Sequence, residues 1–159
     1  MPRIAETRDL VWSPEQMFDL VADVKRYAEF LPWVVGTRVK SDDGQVMIAD
    51  MMVGFSALRE KFTSKVTRDR PGTITVDYLD GPMKSLSNTW VFAPNGSGGC
   101  RIDFVCEFAF RNALFERLAG QYLDRAFRKM VAAFETRAAK LYADQAPGGI
   151  SSSSATSAA

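Results

Sequence analysis

Residues 100–141 read CRIDFVCEFAFRNALFERLAGQYLDRAFRKMVAAFETRAAKL, and the period of their apolar positions changes once, near residue 111. Up to that point it is two. Ile102, Phe104, Cys106, Phe108 and Phe110 share one face, while Arg101, Asp103 and Glu107 share the other, the pattern of a strand with one side in water. Beyond it, Phe115, Leu118, Tyr122, Ala126, Met130, Ala133, Phe134 and Leu141 recur at three- and four-residue steps, with Arg117, Asp124, Arg125, Arg128, Lys129, Glu135 and Lys140 on the opposite side. The spacing predicts a helix over 112–141, about 45 Å long at 1.5 Å per residue. Its stripe is broad and alanine-rich, which suits docking across a sheet better than a coiled-coil seam.

Working back from that stretch, residues 34–110 read as a strand meander. Segments near 34–41, 45–53, 57–68, 73–80, 85–93 and 100–110 are separated by Asp42-Asp43-Gly44, Gly54, Pro71-Gly72, Gly81-Pro82 and Asn95-Gly96-Ser97-Gly98-Gly99. Short turns between regularly spaced strands favour an antiparallel sheet. Upstream, residues 3–12 form a first strand. Ser13-Pro14-Glu15-Gln16 then carries a hydroxyl N-cap, proline at the first helical position and glutamine at the third, so a helix is expected over 14–22. A second short helix over 24–30 ends before Pro32.

The chain has 159 residues and a mass of 17.6 kDa, and a body of that mass buries roughly 69% of its unfolded surface, enough for one core. One domain over 1–144 is expected, followed by a Ser/Ala-rich tail over 145–159 that cannot bury enough surface to order itself. The 20 basic and 19 acidic residues nearly cancel, which argues against nucleic-acid binding by bulk charge, and no DNA partner is expected. No histidine is present, which removes Ser-His-Asp, Cys-His and imidazole-metal chemistry. Cys100 and Cys106 are too few for a cysteine zinc site and, in one strand, lie about 20 Å apart, too far for a disulfide. They read as reduced thiols of a cytoplasmic protein, with no metal. No apolar run approaches membrane-spanning length, so membrane contact, if any, is peripheral.

Alternation assigns the strand faces. In 57–68, Arg59, Lys61, Thr63, Lys65 and Thr67 are read as solvated, and Leu58, Glu60, Phe62, Ser64 and Val66 as inward. Ile74, Val76 and Tyr78 form the inner set of 73–79, and Leu86, Trp90 and Phe92 carry Asn88 with them in 85–93. In 45–53 both faces are apolar and the inner one is undetermined. The inner wall is thus apolar, with Glu60, Asn88 and Tyr78 as isolated polar groups. Two readings stay open: a ligand cavity with a few orienting groups, or a filled core whose polar groups satisfy one another.

Tyr27-Ala28-Glu29-Phe30-Leu31-Pro32-Trp33 after the helix pair, and Asp80-Gly81-Pro82-Met83-Lys84-Ser85-Leu86-Ser87-Asn88-Thr89-Trp90-Val91-Phe92, resemble the coenzyme Q-binding protein family. That family belongs to the polyketide cyclase/dehydrase-like START superfamily and overlaps the bacterial RatA-type proteins. The resemblance covers residues 3–143, including the order strand, two helices, six strands, long helix. Val34 departs from the pattern where cysteine is frequent, and Met83 where an aromatic often follows Gly-Pro. The resemblance implies an α+β helix-grip fold, in which a curved antiparallel sheet of about seven strands wraps a long C-terminal helix. It also implies a non-catalytic role, binding ubiquinone or a related polyprenyl lipid in support of respiratory electron transport. With that fold, Glu60, Phe62, Val76 and Tyr78, then Asn88, Trp90 and Phe92, Phe104 and Phe108, and Tyr122 and Met130 of the helix, are expected to line the cavity. Leu31, Trp33, Met52 and Phe55 are expected at its mouth or in contact with the inner face of the cytoplasmic membrane.

Ubiquinone suits such a wall. At about 0.8 kcal/mol per buried methylene-sized group, one five-carbon isoprene unit gains roughly 3–4 kcal/mol before costs, so two or three units are needed for micromolar affinity. Residues 111–141 carry seven basic against three acidic side chains, a net +4 that fits either an anionic lipid surface or simply the solvated face of a docked helix. Two rival functions remain. One is a RatA-like factor that binds the large ribosomal subunit, with the basic face of the 112–141 helix or Arg59, Lys61 and Lys65 of the 57–68 strand on RNA phosphates. The other is an aromatase/cyclase using Glu60, Asp50 or Tyr78 as acid or base.

Overall fold

The change of period near residue 111 is realised as a strand followed by a helix: β7 spans Cys100–Phe110 and α2 spans Ala113–Leu141. The structure, a computed structural model, describes residues 3–55, 58–111 and 113–143. Side chains at 55, 58, 115 and 118–124, and the expected tail from 145, fall outside that description. The remaining elements are β1 (Arg3–Leu10), α1 (Pro14–Ala22), a 3-10 helix (Val24–Glu29), β2 (Val34–Asp42), β3 (Val46–Phe55), β4 (Leu58–Asp69), β5 (Thr73–Asp80) and β6 (Met83–Pro94). The seven strands form one antiparallel sheet in the order β1-β7-β6-β5-β4-β3-β2, the α+β helix-grip architecture expected from the sequence.

β1 and β2 are the two edges of this sheet, and α1 with the 3-10 helix carries the chain from one to the other. The start of α1 is the expected capping box. Ser13 Oγ accepts from the Gln16 amide at 3.1 Å, and Gln16 Oε1 accepts from the Ser13 amide at 2.9 Å, an arrangement worth about 1 kcal/mol. Met17, Phe18, Leu20 and Val21 are all buried beneath it. Phe18 meets Phe92 of β6 edge-on at 5.6 Å, so α1 closes one end of the sheet. The second helix is a 3-10 turn rather than an α-helix, since six residues before Phe30 and Pro32 leave little room for α-helical bonding.

Register shifts at Val34/Gly36, Val39/Ser41, Thr63/Ser64 and Met83/Ser85 bend the sheet. The pleat of β3, undetermined from sequence, places Met47, Ala49, Met51 and Val53 inward and Asp50 and Met52 outward. Thr63 is a correction. It lies on the outer face as expected, but it is buried there and donates its hydroxyl to Asp50 Oδ1 at 2.6 Å. At the β5–β6 turn Gly81 has φ +146°, and a Cβ would stand 2.8 Å from Tyr78 Oη and 2.9 Å from the Lys61 carbonyl, so glycine is required.

The C-terminal half of α2 is held on several sides. The Phe134 ring lies 5.5 Å from Trp90, 5.6 Å from Tyr27 and 5.3 Å from Phe30, all edge-on. Arg137 bonds Glu29 at 2.8 Å and stands over the Phe30 ring, Glu135 meets Arg8 of β1 at 3.1 Å, and Tyr142 Oη donates to the Gln16 carbonyl at 3.0 Å. Leu141, expected on the apolar stripe, is exposed, while Phe134, Ala138 and Tyr142, four residues apart, are the positions that pack on the core. Phe134→Ala is expected to lower stability by roughly 3–5 kcal/mol, measured as a fall in the urea midpoint, since it empties the centre of this aromatic cluster.

Candidate ligand-binding cavity

Between α2 and the concave face lies a partly open cavity of about 310 Å³. Its roof is one stripe of α2, formed by Ala126, Phe127, Met130 and Phe134. The 3-10 segment and its surroundings supply Val24, Tyr27, Leu31, Trp33 and Val34. The curved wall comes from β3 to β7: Met51 and Val53, Phe62 and Ser64, Ile74 and Val76, Leu86, Asn88 and Trp90, then Phe104, Cys106, Phe108 and Phe110. The lining at the α1 end is fully buried (Val21, Val24, Ile74, Phe134), whereas Trp33, Val53, Phe62, Leu86 and Phe110 at the opposite strand ends are only half-buried. The cavity therefore opens towards the C-terminal end of β3 and the β5–β6 turn.

Among the described lining residues, Ser64, Asn88 and Cys106 interrupt the apolar wall. Asn88 and Cys106 face each other across the β6–β7 pair. Trp90 Nε1 donates to Asn88 Oδ1 at 3.1 Å. An indole N–H can only donate, so it holds the amide oxygen towards itself and leaves the Asn88 amino group as a donor for the cavity. Ser64 adds a buried hydroxyl on β4. A ligand oxygen with lone pairs fits this wall. Tyr27 turns its hydroxyl away, donating it to the Val21 carbonyl, and burial, with the nearby Asp23 charge, raises its pKa above the ordinary tyrosine value. Burial, with a smaller contribution from Glu107, pushes the Cys106 thiol up to about 11.

Of the residues expected to line the cavity, Phe62, Val76, Asn88, Trp90, Phe104, Phe108 and Met130 do so. Phe92 does not, because α1 covers it through Phe18. Tyr78 is spent on the β5–β6 turn, where its hydroxyl oxygen accepts from the Met83 amide at 2.8 Å. Glu60 sits at the strand end opposite Val53 and does not join the lining. The Tyr122 and Phe55 side chains lie outside the described residues. Among the residues expected at the mouth, Leu31 is a buried part of the wall, Trp33 lines it half-buried, and Met52 points out from the convex face. Asp50 is also on that convex face, its carboxyl held below the usual carboxylate range chiefly by the Thr63 hydroxyl. Sequence reasoning passed over Ser64 as a binding group although alternation had placed it inward, and it missed Phe127 altogether.

A curved sheet gripping a helix around an apolar hollow defines a helix-grip protein with a cavity of small-molecule size. The family model described as polyketide cyclase / dehydrase and lipid transport matches residues 12–135, and the chain belongs to that START-like family, in the branch holding RatA-type and coenzyme Q-binding proteins. It is 35% identical over 136 residues to the "Ribosome association toxin RatA" of Rickettsia prowazekii, covering 83% of this chain and 92% of that one. It is 34% identical over 145 residues to "Coenzyme Q-binding protein COQ10 homolog B, mitochondrial" of Xenopus laevis, covering 89% of this chain and 59% of that one. An 18 kDa Caulobacter crescentus protein solved in solution superposes with a TM-score of 0.74 at 43% identity, over 90% of this chain and 99% of that one.

Both thiols are free and both are pushed up to about 11 by burial. At pH 8 only roughly a thousandth of each is then thiolate. A thiol-disulfide reagent is expected to react slowly with the folded protein at pH 8 and promptly in denaturant; prompt reaction of both thiols in the native state would contradict the burial described here.

Proposed function

We propose that this chain is a non-catalytic carrier that takes the head and first isoprene units of ubiquinone, or of a related prenyl lipid, into its cavity, supporting respiratory electron transport. The observation that carries the reading is the Trp90–Asn88 pair, a fixed amide donor set among aromatic and aliphatic walls. A quinone carbonyl or ring ether oxygen accepts from such a donor, and the prenyl chain follows the apolar lining. Asn88 lies about midway along β6, with Trp90 on the side of the closed end and Leu86 and Met83 towards the opening. This order favours entry of the head first, with the tail towards the mouth. Among the described lining residues there is no carboxylate, and the titratable groups, Tyr27 and Cys106, are both held protonated. That composition favours binding over the acid–base chemistry of an aromatase/cyclase.

A short-chain ubiquinone should quench Trp90 fluorescence on binding. Asn88→Ala is expected to weaken its affinity about tenfold, the loss of one buried hydrogen bond of roughly 1–1.5 kcal/mol, while Glu60→Ala leaves it unchanged. Equal affinity of wild type and Asn88→Ala would remove the head-group assignment.

The second reading, association with the large ribosomal subunit, is favoured by the match to RatA relatives over nearly their whole length. Arg59, Lys61 and Lys65 are exposed on the convex face, away from the cavity, so the two readings use different surfaces. Co-sedimentation with large subunits is expected to weaken with rising salt and on Lys61→Glu/Lys65→Glu if that reading holds. No co-sedimentation even at low salt would eliminate it.

A further inference from the structure

Ser64 places an unused hydroxyl in the cavity wall. The residue is 8% exposed, it lines the cavity, and among the described residues no partner meets its Oγ. Its neighbours across the sheet are Ala49 on β3, which has no polar side-chain atom, and Tyr78 on β5, whose hydroxyl oxygen already accepts from the Met83 amide. The roof of Ala126, Phe127, Met130 and Phe134 is apolar. A buried hydroxyl without a partner is unfavourable, so this position calls for one from a ligand.

The Asn88 amino group, left over when Trp90 Nε1 takes the amide oxygen at 3.1 Å, is a second such atom. Asn88 is level with Val66 of β4 through Val76 of β5, and Ser64 stands one inward position nearer the mouth. Two strand spacings and one inward step separate the two backbones by roughly 12 Å. Both side chains point to the concave side, which brings their tips closer together. A six-membered ring with oxygens at opposite positions, and a hydrogen bond of about 2.8 Å at each end, spans such a gap.

The wall offers more hydrogens than lone pairs. The Asn88 amino group only donates, the Ser64 hydroxyl donates or accepts, and the Cys106 thiol opposite Asn88, pushed up to about 11 by burial, stays protonated as a weak donor. No carboxylate stands among the described lining residues, and strand carbonyls point along the sheet rather than into the hollow. Tyr27 turns its hydroxyl to the Val21 carbonyl. Acceptors are thus reduced to Ser64 Oγ and the lone pair of Asn88 Oδ1 that Trp90 leaves. A quinone brings two carbonyl acceptors and no donor, so Asn88 and Ser64 satisfy both. A quinol brings two hydroxyl hydrogens, and each one left unpaired in an apolar wall counts against the reduced form.

We infer that the cavity discriminates between the oxidation states of its ligand: Ser64 and Asn88 donate to the two carbonyl oxygens of a quinone, while the quinol is disfavoured because its hydroxyls find too few acceptors. This inference rests on the carrier reading and adds to it a second anchor and a preference. A tenfold preference corresponds to a two-electron quinone/quinol potential lowered by about 30 mV in the bound state.

The test is equilibrium dialysis of the full chain against ubiquinone with two isoprene units and, under argon, against the quinol made from it by borohydride reduction. Wild type is expected to bind the quinone about tenfold more tightly than the quinol. Ser64→Ala is expected to weaken quinone binding about tenfold, the loss of one buried hydrogen bond. Asn88→Asp keeps an acceptor for Trp90 and replaces the amino group by a second acceptor, and is expected to abolish or invert the preference. Asn88→Leu removes the donor without adding a charge and is expected to shift the ratio in the same direction. Urea midpoints verify that the variants fold. Equal affinity for both forms or tighter quinol binding in wild type, undiminished quinone affinity in Ser64→Ala, or a preference that survives both Asn88 variants overturns the inference and leaves the carrier reading standing, because the quinone still binds. Binding of neither form defeats the carrier reading and this inference together.

Discussion

The long helix is fastened at one end. Phe134 wedges between Trp90 of the sheet and Tyr27 and Phe30 of the 3-10 segment, and the Arg137–Glu29, Glu135–Arg8 and Tyr142–Gln16 contacts surround that wedge. Contacts of this kind bring the helix down onto the sheet near α1. Towards the other end the bulged strands curve away, and the helix faces them across the cavity with Ala126, Phe127 and Met130. The hollow follows from that geometry: a helix pinned at one end of a bent sheet does not follow the bend along its whole length. Burial decreases along the wall in the same direction, from Ile74 and Val21 to Trp33, Val53 and Phe110.

Much of the architecture could be read from period and punctuation, because most strands keep one solvated face and most breaks between them carry glycine, proline, asparagine or aspartate. The capping box marked α1 to the residue. What the pattern could not supply was the third dimension. Alternation says that Phe92 and Trp90 point to the same side, but only the position of α1 decides that Phe92 packs beneath a helix while Trp90 faces a hollow. Tyr78 has the right parity for the cavity and is diverted by a hydrogen bond to the Met83 amide that depends on the turn geometry at Gly81. Thr63 reads as a surface residue because nothing in a single strand indicates that the neighbouring strand presents Asp50 beside it. Likewise, a filled core and an empty one have the same sequence pattern, since burial records the loss of water and not the presence of a neighbour.

The wall chemistry connects the fold to the proposed ligand. Trp90 is both part of the aromatic cluster that fastens α2 and the group that orients Asn88. The residue that holds the scaffold thus also sets the direction of the Asn88 amide, which would tie the orientation of a bound ligand to the helix–sheet joint. Arg59, Lys61 and Lys65 on the convex face lie outside this system, so a contact made through them would leave the pocket unaltered. Family members named for ribosome association and for coenzyme Q binding both match over most of this chain, as such a separation allows.

The central claim is that the space beneath α2 is real and is where the lipid goes. Ala126, on the roof of the cavity, offers the most direct test, because Ala126→Phe adds a ring into that space without removing any existing contact. An empty hollow should accept the ring, so the urea midpoint is expected to stay level or rise while short-chain quinone binding is lost. A fall in stability of roughly 1–3 kcal/mol, the cost of over-packing a filled core, with quinone binding retained, would contradict the account.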